Sequence, residues 1–242
     1  MKFFYSLFAV MLALLPLAGC GVDRVQAQAA DTHLAAVLAQ MDRASAQFKN
    51  ARADFSQEYY ERVSKDTTNE NGSIYFERHG AVTQMGAVTV DPKTKANNKV
   101  LEFKDGMLQI FDIPDDQIRL VKAGSNQGQV ETFLTLGFGG SGKALAQSWD
   151  ITDQGAETLT DGAQAIKTEK LNLVSKDPAV RNNFTQVTVW IDPVRGVSLK
   201  QVFETPSHDK RTTTYSHIKV NGSIDTGFFA IKKGKKTTVV GP

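Results

Sequence analysis

Cysteine is nearly absent. The 242-residue chain has one, Cys20, which excludes an intramolecular disulfide. Histidine is scarce as well, and His33, His79, His208 and His217 are too scattered to build a spaced zinc cluster. Neither sign of charge is in excess: 28 Lys and Arg face 26 Asp and Glu, a formal charge of +2. That is far from the basic surplus of a chain held by phosphate contacts, so nucleic acid is not an expected partner. What remains is 41% hydrophobic and 22% charged residues, enough for one sizeable core and too mixed for disorder.

The N-terminus reads as an export signal. Lys2 supplies positive charge, and the run from Phe3 to Ala18 is apolar except for Ser6 and Pro16, too short to span a bilayer comfortably. It ends in Leu17, Ala18, Gly19 and Cys20, which resembles the lipobox of bacterial lipoproteins, where cleavage precedes a cysteine that is then lipidated. Cys20 is therefore the expected lipidation site and membrane anchor, and a stable anchor takes more than one acyl chain. The alternative exit is Ala27-Gln28-Ala29, an A-x-A pattern that would release a soluble periplasmic chain beginning at Ala30. Gly21 and Val22 lack the aspartate that in many bacteria retains lipoproteins in the inner membrane, so the periplasmic side of the outer membrane is the expected location. Removal of residues 1–19 leaves 27 basic against 26 acidic side chains.

Residues 20–30 read as a short polar tether, and 31–242 as a single domain. Asp31 or Thr32 offers an N-cap. Leu34, Val37, Leu38, Met41, Ala44 and Phe48 follow at helical spacing and form one apolar stripe. After Ala53 the period changes to two. Asn71-Gly72 and Asp105-Gly106 are dipeptides favoured in type I′ hairpin turns, and Asp91-Pro92 and Ile113-Pro114 end other strands. A second series of strands runs over about 157–174, 183–192, 197–205 and 211–220, with turns at Asp161-Gly162 and Pro193 to Gly196. Roughly ten strands behind one helix predict a mostly β, α+β chain whose antiparallel sheet curves into a barrel or half-barrel.

Residues 131–147 break this rhythm. Phe133, Leu134, Leu136, Phe138 and Leu145 are interspersed with Gly137, Gly139, Gly140 and Gly142, a density of glycine that weakens a helix by up to about 1 kcal/mol per position. The expectation is a short apolar helix followed by a mobile loop: either a plain connection between sheet halves or a lid that plugs a concave sheet. Gly137, Gly142 and Lys143 match the spacing of a phosphate loop, but Ala144 stands where its metal-binding hydroxyl is needed. No nucleophile elbow or paired acid and base is visible either, since Asp115 and Asp116 read as a solvated turn. The cluster Lys232, Lys233, Lys235 and Lys236 reads as a solvated tail.

Trp190-Ile191-Asp192-Pro193, Gly196, Leu199-Lys200-Gln201, Thr212, Thr214-Tyr215-Ser216, Ile218-Lys219, Asn221 and Phe228 together resemble the C-terminal signature of the LolA-like lipoprotein carriers (the LolA/LolB type). Gly72, Ile74 to Arg78, and Leu101 to Gly106 are similar to the family's earlier strands, so the resemblance covers about 33–240. It implies an unclosed antiparallel β half-barrel with an N-terminal helix, a helical lid, and a cavity for the acyl chains of lipoproteins or other lipids, without catalysis, cofactor or metal. Other lipoprotein-transport components become expected partners. Strand parity puts Phe55 and Tyr59, Ile74 and Phe76, Leu101 and Phe103, Val187 and Val189, and Leu199 and Phe203 on common faces, the expected cavity wall. Phe133, Leu134, Leu136 and Phe138 are the expected lid. Arg78 matches the family's lid-holding arginine, with His79 where the family usually has proline. An anchored chain resembles the outer-membrane acceptor of such a system more than its soluble carrier, and a lipid- or lipoprotein-sensing module on the same fold is the alternative.

The lipobox yields a direct test. Intact-mass measurement should find a mature chain beginning at a lipidated Cys20, and Cys20→Ala should move the protein out of the membrane fraction; a chain beginning at Ala30 would show the other exit to be used.

Overall fold

The computed structural model describes residues 22–80, 82–122 and 136–241, with side chains from Thr32 onward. Cys20, Phe133 and Leu134 lie outside the described residues. A helix, α1 (Val22–Gln47), precedes six strands: β1 (Asn50–Tyr60), β2 (Thr67–His79), β3 (Val82–Val90), β4 (Asn97–Lys104), β5 (Met107–Asp112) and β6 (Gln117–Lys122). A short helix α2 (Gly142–Ser148) leads into β7 (Trp149–Asp161) and β8 (Gln164–Ser175). One helical turn, α3 (Pro178–Arg181), precedes β9 (Gln186–Asp192), β10 (Val197–Glu204) and β11 (Lys210–Val220). A 3₁₀ turn (Thr226–Phe229) and β12 (Thr238–Val240) end the chain. Among the described residues no helix is long and apolar enough to cross a membrane.

All twelve strands join one sheet in the order β12-β6-β5-β4-β3-β2-β1-β11-β10-β9-β8-β7. Two antiparallel meanders meet where β1 pairs with β11, and only β12 runs parallel to its neighbour. This is the half-barrel the sequence leads one to expect, with two more strands than its turn signals count. The coiling is pronounced: the Ile218 amide of β11 donates to Asp161 at the end of β7, 3.1 Å away. Arg195 fastens this rim, bonding Asp161 at 2.8 Å and Asp192 at 2.6 Å.

α1 covers the part of the concave face formed by β8 to β10. Val37, Met41 and Phe48 of the predicted stripe are buried, with Leu34 and Leu38 packed beside them. One part of the core lies under the helix and includes Leu171, Leu173, Val187, Val189 and Phe203. A second part is built around Phe76, Phe103, Leu199 and Tyr215. On the convex face Phe229 packs against Tyr75, their ring centroids 4.8 Å apart, and caps a third cluster with Val88, Val100 and Phe111.

Three expectations need correction. First, α1 begins at Val22, not at Asp31 or Thr32; the Ala and Gln of 26–30 are good helix formers and no Pro or Gly stops the helix from running back through the tether. Second, Asp105-Gly106 does form a turn, with φ of 51° and 72°, but Asn71-Gly72 does not, since β2 runs straight through it. Gly72 pairs with Phe55 across the strands, and a Cβ there would lie 2.1 Å from the Val88 carbonyl and 2.9 Å from the Phe55 ring. The glycine therefore makes room for an aromatic side chain and supplies no positive φ. Third, residues 136–140, expected in a mobile loop, form a glycine turn that leads into the helix α2, while the apolar helix expected before them falls on 131–135, outside the described residues; Ser141 caps α2 by accepting from the Ala144 amide at 3.0 Å, which fixes the helix start at Gly142.

Because the close approach at Gly72 involves backbone, Gly72→Ala should cost about 1–3 kcal/mol in chemical unfolding. Gly222→Ala, with nothing within 4 Å of the added carbon, should change stability by less than about 0.5 kcal/mol. Equal midpoints for the two variants would refute the packing role of Gly72.

Candidate functional site: a plugged groove on the concave face

The glycine turn carries one aromatic side chain into the sheet. Phe138 is 1% exposed; its ring stacks on Phe76 at 4.4 Å and meets the Tyr215 ring edge-on at 4.8 Å. Gly137 and Gly139 adopt φ of +85° and +72°, a conformation open to glycine. Both also sit tightly, because a Cβ on Gly139 would lie 2.3 Å from the Phe48 ring and one on Gly137 2.4 Å from Ser198. The sequence signal that marked this segment as flexible thus reflects a tight docking.

Polar bonds hold the turn from both sides. On the sheet side the Gly139 amide donates to the Gly196 carbonyl at 2.9 Å, and the Gln201 amide donates to the Leu136 carbonyl while its oxygen accepts from the Tyr215 hydroxyl at 3.2 Å. Burial pushes the Tyr215 phenol well above its ordinary pKa, so it stays a donor. On the helix side the Ser45 hydroxyl donates to the Gly139 carbonyl at 2.7 Å.

Arg78 closes the assembly. One guanidinium nitrogen donates to the Ser45 carbonyl and the other to the Gly139 carbonyl, both at 2.6 Å, and the guanidinium carbon lies 5.4 Å from the centre of the Phe48 ring. Ser45 sits in the last turn of α1, where carbonyls lack intrahelical donors and carry the negative end of the helix dipole. One cation therefore serves the helix end and the turn together. His79 in place of proline leaves β2 free to pair to its end, where His79 faces Val82.

Beyond the plug the concave face is open among the described residues. Phe55, Ile74, Met85, Ala87 and Leu101 line a cavity of about 300 Å³ that Tyr215 borders on one side. It shares Glu70, Thr89 and Leu101 with a neighbouring cavity of about 450 Å³ that continues past Ile110 to Asp112 and Arg119. The groove thus has an apolar floor beside Tyr215 with Gln57, Thr213 and Arg211 at its edge, and it becomes more charged toward the second cavity, where Lys99 pairs with Glu70 at 3.1 Å.

The residues expected to line a cavity divide into three groups. Phe55, Ile74 and Leu101 line the open groove. Phe76, Phe103 and Leu199 are covered in the core that Phe138 completes, and Val187, Val189 and Phe203 lie in the core under α1 with Leu136. Tyr59 lines neither cavity and stacks instead with Arg211, 6.0 Å away. Two residues of the site carried no signal of their own: Ser45 reads as one polar position on a helix, and Gln201 as one polar position on a strand.

No protein-family model and no curated protein matches the chain, but solved structures do. MucB, known from Pseudomonas aeruginosa, aligns over 86% of this chain and 66% of its own at 13% identity, with a TM-score of 0.51. An uncharacterized conserved protein from Thermus thermophilus aligns over 86% of this chain and 98% of its own at 11% identity, with a TM-score of 0.49. A LolA superfamily protein from Nitrosomonas europaea aligns over 82% and 97% at 11% identity, with a TM-score of 0.38. At these identities the likeness is one of fold.

Loss of the Tyr215 hydroxyl leaves the buried Gln201 oxygen without its donor, so Tyr215→Phe should lower unfolding free energy by about 1–3 kcal/mol. An unchanged urea midpoint would show that this bond does not help to hold the turn.

Proposed function

We propose that the chain binds the acyl chains of lipoproteins or related lipids in the concave groove, as a carrier or acceptor at the periplasmic face of the outer membrane, to which a lipidated Cys20 anchors it. The observation that carries this reading is Phe138, an aromatic plug beside an open groove with an apolar floor, on a glycine turn that Arg78 ties to the end of α1. Burying an acyl methylene is worth about 0.8 kcal/mol, so a long chain can displace the plug without covalent chemistry. Displacement would extend the groove from Phe55 and Leu101 to Phe76, Phe103 and Leu199. Leu136 and Phe138, with Phe133 and Leu134 before them, act as the lid, and Arg78 as its closing bond. Binding energy is then partly spent on opening, and closure favours release.

A second reading has its own support. MucB is also described in complex with MucA, and by analogy this chain would sense lipid or lipoprotein and regulate a partner. Mass spectrometry of the native protein separates the two: co-purified lipoprotein supports the carrier or acceptor, free lipid without lipoprotein supports the sensor, and no acyl material refutes both.

The lid is tested with a fluorescent acyl probe. A guanidinium hydrogen bond is worth about 1.5–3 kcal/mol, so Arg78→Leu should slow probe release by roughly tenfold or more with the fold intact, and Phe138→Ser should change affinity measurably. Release shifted by less than about 0.5 kcal/mol, the usual effect of a surface substitution, would reject the closing role of Arg78. An affinity indifferent to Phe138→Ser would reject the plug.

A further inference from the structure

Apart from the groove, α1 meets the β7–β8 hairpin through three ionisable side chains. His33 of α1 places Nδ1 2.6 Å from Asp153 Oδ2 and Nε2 3.6 Å from Glu169 Oε2. One ligand atom from each of the three falls within 4.8 Å of the others. The two carboxylates are 8% and 7% exposed, while the imidazole above them is 44% exposed. Glu169 shares its strand face with Leu171 and Leu173 of the core, an unusual place for a negative charge.

The charges do not balance as they stand. A proton on His33 satisfies Asp153, whose hydrogen bond raises the imidazole pKa. It leaves Glu169 Oε2, a buried oxygen that accepts no hydrogen bond, at a distance beyond hydrogen bonding. Lys167, the other charge acting on the imidazole, is exposed. A buried carboxylate oxygen without a partner is expensive, and a divalent cation removes the cost for both carboxylates at once. Asp153 is already oriented to hold one. Its Oδ1 accepts from the Gly155 amide at 2.7 Å, which turns Oδ2 toward the cluster as outer-shell bonds do at metal sites.

We propose that His33, Asp153 and Glu169 form a divalent-cation site of the zinc class that ties α1 to the β7–β8 hairpin. One imidazole nitrogen and two carboxylate oxygens are a ligand set that zinc accepts, with a further position left for solvent on the exposed side. The imidazole has to turn so that one nitrogen converges with the two oxygens, and its exposure leaves it free to do so. The site lies apart from the groove and stands whether or not the groove takes acyl chains. Its structural consequence is a cross-link between the helix and the β7–β8 edge of the sheet.

The test uses the full mature protein in detergent, stripped with chelator and titrated with zinc chloride by calorimetry. One zinc per chain is expected, with affinity reduced by roughly tenfold or more in each of His33→Gln, Asp153→Asn and Glu169→Gln. Zinc should also raise the thermal midpoint of the wild type and not that of the variants. If a carboxylate variant fails to fold, the His33 ring-nitrogen resonances of the wild type decide, since saturating zinc must shift them. Absence of binding, undiminished wild-type affinity in all three variants, or a midpoint that depends on pH and ignores zinc would overturn the proposal; the last would make the cluster a proton-held clasp.

Discussion

Two carbonyl oxygens, one at the end of a helix and one in a glycine turn, converge on a single guanidinium. Everything at the centre of the concave face depends on this meeting. α1 can lie across the sheet only if its last carbonyls find donors, and the turn can present Phe138 to Phe76 and Tyr215 only if its own carbonyls do. Arg78 supplies both bonds from the penultimate position of β2, with the Phe48 ring beneath it. Because the donor is charged and the acceptors are partly buried, the link is stronger than a neutral hydrogen bond, yet no covalent or deeply apolar contact makes it permanent.

That balance explains the unequal halves of the concave face. Under α1 the core is filled by aliphatic side chains of the neighbouring strands and the helix stripe, with little left to open. Around β1 to β5 no helix among the described residues lies above the same face, and there the groove runs beside Phe55, Ile74 and Leu101. The plug sits on the boundary, and in the function proposed above its movement would convert filled core into groove. A surface that can exchange one apolar occupant for another is what a reversible acyl binder requires.

The ionic features follow the sheet's coiling. Arg195 with Asp161 and Asp192 locks the rim where β7 curls back toward β11, and each carboxylate there is paired with the guanidinium. The His33 cluster has one oxygen too many for its partners. His33 and Asp153 are 120 residues apart, and no spacing rule for metal ligands connects them.

Local chemistry alone determined most of the architecture. The apolar stripe of α1, the positive-φ turn at Asp105-Gly106, the strand ends at Pro92 and Pro114, and the alternation that puts Phe55, Ile74 and Leu101 on inward faces are all properties of residues within a few positions of one another, where backbone sterics and side-chain period decide. Arg78 was legible only through a family resemblance, since nothing in its neighbourhood shows what it bonds. Tertiary structure decided the rest: that Gly72 makes room for Phe55 and turns nothing, that Gly137 and Gly139 dock a plug, that Gln201 and Ser45 hold it, and that His33 meets Asp153 and Glu169. The reason is the same in each case. A glycine or a histidine has one local conformational preference but many possible neighbours, and which neighbour it meets depends on how far the twelve-stranded sheet coils, a sum over all its strands that no short window of sequence contains.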